Sequence, residues 1–180
     1  FYNSRSLIGV DDANIYFVYM RNFAAGEGFV YNIDGEHVEG FTSLLWTLIG
    51  SVFFFFTSHV EVLLLLFNIL FVSFSLWRVV LFIDARFSAR AIINAPSLLF
   101  LGLLGMLPGF FDWTVLSLME TGFWSSLLVL TLLEILKIDA SSKRFSWRFT
   151  LLLVFMLLTR PEGMLWSIVF ALCYAYKFQQ

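Results

Sequence analysis

From Leu44 onward the chain is a succession of apolar runs joined by short charged segments, whereas residues 1–43 interleave polar and apolar positions densely. The longest run, Val60–Ile83, carries charge only at Glu61 near its start and Arg78 near its end. At about 1.5 Å per helical residue it exceeds the ~30 Å hydrocarbon core of a bilayer, so it predicts a membrane-crossing helix. Four further runs follow: Ala91–Phe111, with Pro96 near one end and Pro108-Gly109 at the other; Gly122–Ile138, with Glu134 inside it; the short Phe145–Thr159; and Met164–Phe178, with Lys177 near its end. Leu44–Thr57 falls below the ~17 apolar residues a crossing needs and predicts an interfacial or re-entrant helix. The pattern therefore predicts an all-α, polytopic transmembrane helical bundle. Residues 1–58 form an extracytoplasmic segment with juxtamembrane helices, and residues 59–180 supply about five transmembrane helices of an incomplete domain.

Charge orients this arrangement. Basic residues in short joints mark the cytoplasmic side. Arg86 and Arg90 follow the first span, and Lys137, Lys143, Arg144 and Arg148 follow the Gly122 run. Two cytoplasmic joints require one out-and-back hairpin between them, with its outer joint near Asp112–Thr121. The same alternation sets residues 1–43 and Arg160-Pro161-Glu162-Gly163 outside, and Lys177 inside. Every unusual polar cluster then falls on one outer face.

Composition agrees. Hydrophobic residues make up 60% of the 180 and charged ones 13%, against about half and a quarter in soluble domains. The 23 Phe, 6 Trp and 6 Tyr suit bilayer interfaces. A net charge of −2 gives no basic footprint for nucleic acid. Cys173 is the only cysteine; it excludes an intrachain disulfide and, lying in an apolar run, is expected to be a buried, inert thiol. The chain opens on Phe1 with no signal-like segment, which reads as a fragment.

Candidate chemistry sits at the outer ends. Asp11-Asp12 open a helical stretch, Ala13–Ala25, that stops at Gly26 and Gly28. One aspartate would cap that helix; a second exceeds what a cap needs and is free to act as a general base on a hydroxyl. Arg21 matches phosphate oxygens in two-pronged geometry, or snorkels to headgroups. Gly28–Trp46 reads as a loop with turns at Asp34-Gly35 and Glu39-Gly40, and its Glu36, His37 and Glu39 have no metal-ligand spacing. Glu120 and the Arg160/Glu162 pair stand where apolar runs meet the outer face. Ionisable groups there are costly to desolvate, and a helix stop at Pro161 needs neither charge. Glu134 and Arg78, nearer the inner side, read as structural. There is no P-loop, dinucleotide fingerprint, zinc-protease helix or Ser-His-Asp set.

The run Asp11–Trp46 (DDANIYFVYMRNFAAGEGFVYNIDGEHVEGFTSLLW) resembles the first extracytoplasmic loop of the GT-C superfamily of membrane glycosyltransferases. The bacterial proteins it looks most like are similar to the mycobacterial terminal β-(1→2)-arabinofuranosyltransferase. In them an acidic pair, an R-N-x-x-x-G-x-G stretch and a V-E-G-[YF]-T-[SN]-x-L-W stretch recur in order, matched here by Asp11-Asp12, Arg21-Asn22 to Gly28, and Val38–Trp46. Met119-Glu120-Thr121-Gly122 and Arg160-Pro161-Glu162-Gly163 resemble later motifs. The resemblance implies roughly ten or more transmembrane helices, with a first one preceding Phe1 and more after Gln180. It also implies transfer of a sugar from a polyprenyl-phosphate carrier to an extracytoplasmic glycan, lipid or protein acceptor, in the cytoplasmic (inner) membrane. Asp11 would be the general base and Asp12 the next candidate, with Arg21, Asn22, Glu39, Glu120, Arg160 and Glu162 binding substrate. Users of lipid monophosphate sugars imply no cofactor and no essential metal, although some superfamily members hold a divalent ion at the acidic motif. The competing class is a non-catalytic membrane subunit or scaffold of a larger complex. A transporter would gather charge at the bilayer midplane, and here it gathers at one face.

Overall fold

A computed structural model describes residues 11–33, 40–87, 94–137 and 146–179, apart from the side chains of Asp11 and Phe178. The regular elements among the described residues are all helical: α1 (Asp11–Ala24), α2 (Leu44–Phe54), α3 (Val60–Arg86), α4 (Ala95–Gly105), a π-helical turn (Asp112–Leu116), α5 (Thr121–Leu136), α6 (Trp147–Thr159) and α7 (Gly163–Gln179). One of them, α3, is long and apolar enough to cross a membrane; α2, α4, α5, α6 and α7 are shorter apolar helices.

The ends follow local chemistry. α1 stops where Gly26 (φ +89°) and Gly28 (φ +81°) take left-handed conformations that side chains resist. The Oγ atoms of Ser43 and Ser146 accept backbone N–H bonds from Trp46 and Phe149, capping α2 and α6. α6 ends because Arg160, preceding Pro161, is extended (φ −147°, ψ 148°). Asn94 makes no side-chain cap for α4. Asp84 of α3 substitutes, accepting from the Asn94 N–H at 3.3 Å and the Ser97 hydroxyl at 2.6 Å.

The Ala91–Phe111 run is not one helix, contrary to expectation. α4 stops at Gly105, and the chain turns through Pro108-Gly109, Gly109 having φ +73°. It then re-enters as the π-helical turn where a plain joint was expected.

α3 and α5 run side by side in the same direction. Asn68 bonds the Met119 carbonyl and Ser75 bonds Ser126, both at an offset of 51 residues. α6 returns antiparallel, with Arg160 at Glu120 and Ser146 at Glu134, and α7 reverses again, with Tyr174 at Ser146. α2 packs on α1 through Gly50, where an added Cβ would overlap the Met20 thioether. One apolar core joins these layers, running from Tyr16 and Met20 through Trp46, Leu64 and Phe123 to Phe149 and Phe170.

The bundle thus has two unlike ends. Arg86, Lys137, Arg148 and Lys177 lie at one, and Tyr16, Thr42, Glu120, Arg160 and Glu162 at the other. Cys173 is exposed, not buried. The inward stripe of α7 is Gly163, Ser167, Phe170 and Tyr174, and helical spacing turns Cys173 away from it.

Candidate functional site

Segments far apart in sequence converge at the end remote from the basic joints. α1 contributes Tyr16, the residues before α2 contribute Thr42, the residue before α5 is Glu120, and the α6–α7 joint supplies Arg160 and Glu162. The Nε of Arg160 stands 3.5 Å from Glu120 Oε1 and 3.6 Å from Glu162 Oε2. Tyr16 Oη lies 3.0 Å from Thr42 Oγ1 and accepts the Thr42 N–H at 3.4 Å. The two carboxylates differ in setting, Glu120 being 1% exposed and Glu162 61%.

Close backbone approach brings these groups together. A Cβ on Gly122 would overlap the Thr114 carbonyl, and one on Gly163 the Met156 carbonyl. Each glycine therefore lets its loop fold tightly enough to turn Glu120 or Arg160 inward. Two residues before Glu120, Leu118 is fully buried with φ 58°, a left-handed conformation unusual for a branched side chain. Its carbonyl accepts from the Trp46 indole at 3.3 Å. Asn68, a lone amide in the apolar stretch of α3, donates to the Met119 carbonyl at 3.2 Å. The loop carrying Glu120 is thus fixed from three sides, and such local strain gathers at functional sites.

Burial raises the Glu120 carboxyl above its ordinary value. Its own backbone N–H, the Arg160 charge and the Tyr16 hydroxyl act the other way, and Glu162 adds a smaller upward push. Burial and the Glu120 charge raise the Tyr16 phenol as well, against its bonds to Thr42 and Ser43. Among the described residues Glu120 Oε2 and Arg160 Nε have no hydrogen-bond partner of good geometry. The ion pair is in place, but its hydrogen bonds are incomplete, a state that a bound polar ligand or ordered water relieves.

The other expected residues divide. Asp11 opens α1, and Asp12 is exposed one turn before Tyr16 on the same helix face. Arg21 is exposed and nine residues past Asp12, which at about 100° per residue faces the opposite side of α1. It donates weakly to Asn22 Oδ1, at 3.4 Å. Asn22 is buried, and its amide donates to the carbonyls of Val30 (2.8 Å) and Tyr31 (3.1 Å), holding the chain that returns from α1. Glu39, with Glu36 and His37, lies outside the described residues. Tyr16, Thr42 and Asn68 were not singled out from sequence. The i, i+4 spacing of Asp12 and Tyr16 was the available signal for the first, and an isolated amide in an apolar run for the last.

The fold and site define an all-helical bundle with a buried carboxylate paired to a half-buried guanidinium at one end. No family model, curated protein or solved structure matches the chain.

Proposed function

We propose that the chain is part of a polytopic membrane glycosyltransferase that moves a sugar from a polyprenyl-phosphate carrier to an extracytoplasmic acceptor. The observation that carries this reading is the meeting of Glu120, Arg160 and Glu162 with Tyr16 at one end of the bundle, from segments more than a hundred residues apart. The apolar surface supports the membrane setting. Of the most apolar stretch of α3 only 28% is buried, and Leu70, Leu99, Leu165 and Leu172 are each more than 60% exposed.

In this mechanism the donor phosphate sits at Arg160. Among the described residues no hydrogen bond engages the terminal guanidinium nitrogens, while Nε is held between two carboxylates. A carboxylate of the leading pair takes the proton of the acceptor hydroxyl. That oxygen attacks the anomeric carbon, the bond to the phosphate oxygen breaks, and its electron pair leaves with polyprenyl phosphate. Arg160 stabilises the charge gathering there. The motif resemblance gives the base as Asp11, whereas helix register puts Asp12 on the face of Tyr16, so both are tested. Glu120 and Glu162 orient Arg160 and the sugar hydroxyls.

Membranes carrying the protein are incubated with polyprenyl-phosphate pentoses and hexoses, and sugar transfer is counted. A base contributes about 10²–10⁴-fold, so Asp11→Asn or Asp12→Asn should lower transfer by at least a hundredfold, and Arg160→Gln comparably, at unchanged protein level. Transfer by the Asp11→Asn/Asp12→Asn double variant at the parent rate, or none by the parent from any donor, overturns the proposal. The second outcome favours the non-catalytic subunit, for which the Glu120–Arg160 pair is a strut.

A further inference from the structure

The opposite end of the bundle holds a second concentration of charge that the transfer reaction does not use. A cavity of about 560 Å³ between the C-terminal parts of α3 and α5 is lined by Arg78, Arg86 and Lys137. A second cavity, of about 440 Å³, shares Arg78 and continues over an apolar wall that includes Phe74, Leu133, Trp147, Leu151 and Phe155.

Helix ends alone do not account for these cations. The last carbonyls of α5 are already met by Lys177, whose Nζ donates to Ile135 at 3.0 Å and Leu136 at 3.2 Å. Arg78 lies eight residues before the end of α3, about 12 Å by helical rise, beyond the last turn where the helix dipole acts. Among the described residues no carboxylate forms an ion pair with any of the three. Of the nearby acids, Asp84 accepts from Asn94 and Ser97, and Glu134, which lines the second cavity beside Arg78, accepts from Ser146. The guanidinium groups of Arg78 and Arg86 lie over the rings of Phe74 and Phe82, at 6.0 and 5.2 Å, contacts that leave their charge uncancelled. Partial burial and then the Arg78 charge hold the Lys137 ammonium below its ordinary value, with Arg148 adding to this and Glu134 opposing it. Among the described residues a surplus of cations, Arg78, Arg86, Lys137 and Arg148 against the carboxylate of Glu134, has been brought together beside an apolar trough.

We propose that this is a binding site for an anionic glycerophospholipid of the inner leaflet, its phosphate held among Arg78, Arg86 and Lys137 and an acyl chain laid along the Phe74–Phe155 wall. Basic pockets between helices at the cytoplasmic surface suit such headgroups. The inference rests on the membrane setting proposed above, and is independent of the transferase chemistry.

The full chain, purified in a neutral detergent, is titrated with short-chain phosphatidylglycerol, phosphatidylcholine of equal chain length, and inorganic phosphate, with bound molecules counted by native mass spectrometry. Phosphatidylglycerol should bind in preference to both others. Arg78→Gln and Lys137→Gln should each weaken it about fivefold, the change that about 1 kcal/mol per basic residue represents, while Arg78→Lys retains most of it. Equal binding of phosphatidylcholine, or unchanged phosphatidylglycerol binding by Arg78→Gln/Lys137→Gln, overturns the headgroup site. Inorganic phosphate binding as tightly as phosphatidylglycerol overturns the acyl part. Carbonate extraction of the parent from membranes separates the two readings, because only failure of the membrane setting releases it.

Discussion

Glu120 is the residue on which the site's chemistry turns, and its burial has a measurable sign. Its folded carboxyl titrates above the ordinary value of 4.5, with desolvation as the leading cause. Above the raised value the carboxylate is charged and pairs with Arg160. Between the ordinary value and the raised one the folded state therefore holds a proton that the unfolded state has released. This contribution to stability is full below the ordinary carboxylate range and is lost as pH rises through the folded value. Glu120→Gln keeps the shape and abolishes the titration. Thermal unfolding of the parent should show a fall in Tm across that window that the variant lacks; parallel profiles would remove Glu120 as the source. At this scale the sequence was informative where charge stood at the edge of an apolar run, as at Glu120, Arg160 and Glu162. It was silent on Tyr16 and Thr42, whose roles come from a contact spanning 26 residues. It was ambiguous for Asn22, whose amide serves the backbone and reads the same in a string of letters as one reserved for a ligand.

Among the elements, the glycines that follow Glu120 and Arg160 have a steric role. Gly122 and Gly163 sit where any side chain would run into a backbone carbonyl, which cannot rotate aside as a side-chain tip can. Gly122→Ala should cost about 1–3 kcal/mol, the usual penalty of overpacking, and displace Glu120 from Arg160. Gly102→Ala, with open space around it, should leave stability within about 0.5 kcal/mol of the parent, as uncongested surface changes do. Chemical denaturation of both variants compares them, and equal losses would mean that the close approaches do not hold the loops. α3 and the α6 boundary were legible because a long apolar run and an X-Pro step each carry a local cause. The break after α4 was not, because Pro108-Gly109 resembles the end of a helix and gives no hint of the π-helical turn beyond it.

For the molecule as a whole, outward-facing apolar residues and unlike ends support the proposed membrane setting. Cys173, the lone thiol, is exposed near the middle of α7, so the proposed bilayer would shield it. In sealed vesicles a membrane-impermeant maleimide should leave Cys173 unmodified until detergent or denaturant is added; prompt labelling would contradict the membrane setting. Hydropathy foretold the helical class and the gathering of charged groups at opposite ends. Which groups touch depended on the relative heights of helices, and these are set by packing. The parallel pair α3 and α5 makes that dependence concrete, since Asn68–Met119 and Ser75–Ser126 pin them at the same offset. These two polar rungs fix the axial register of α5 like teeth in a rack. A slip of a single residue, about 1.5 Å, would shift Glu120 relative to Arg160, so serines and an asparagine deep in the apolar bundle govern the alignment of charges at its rim.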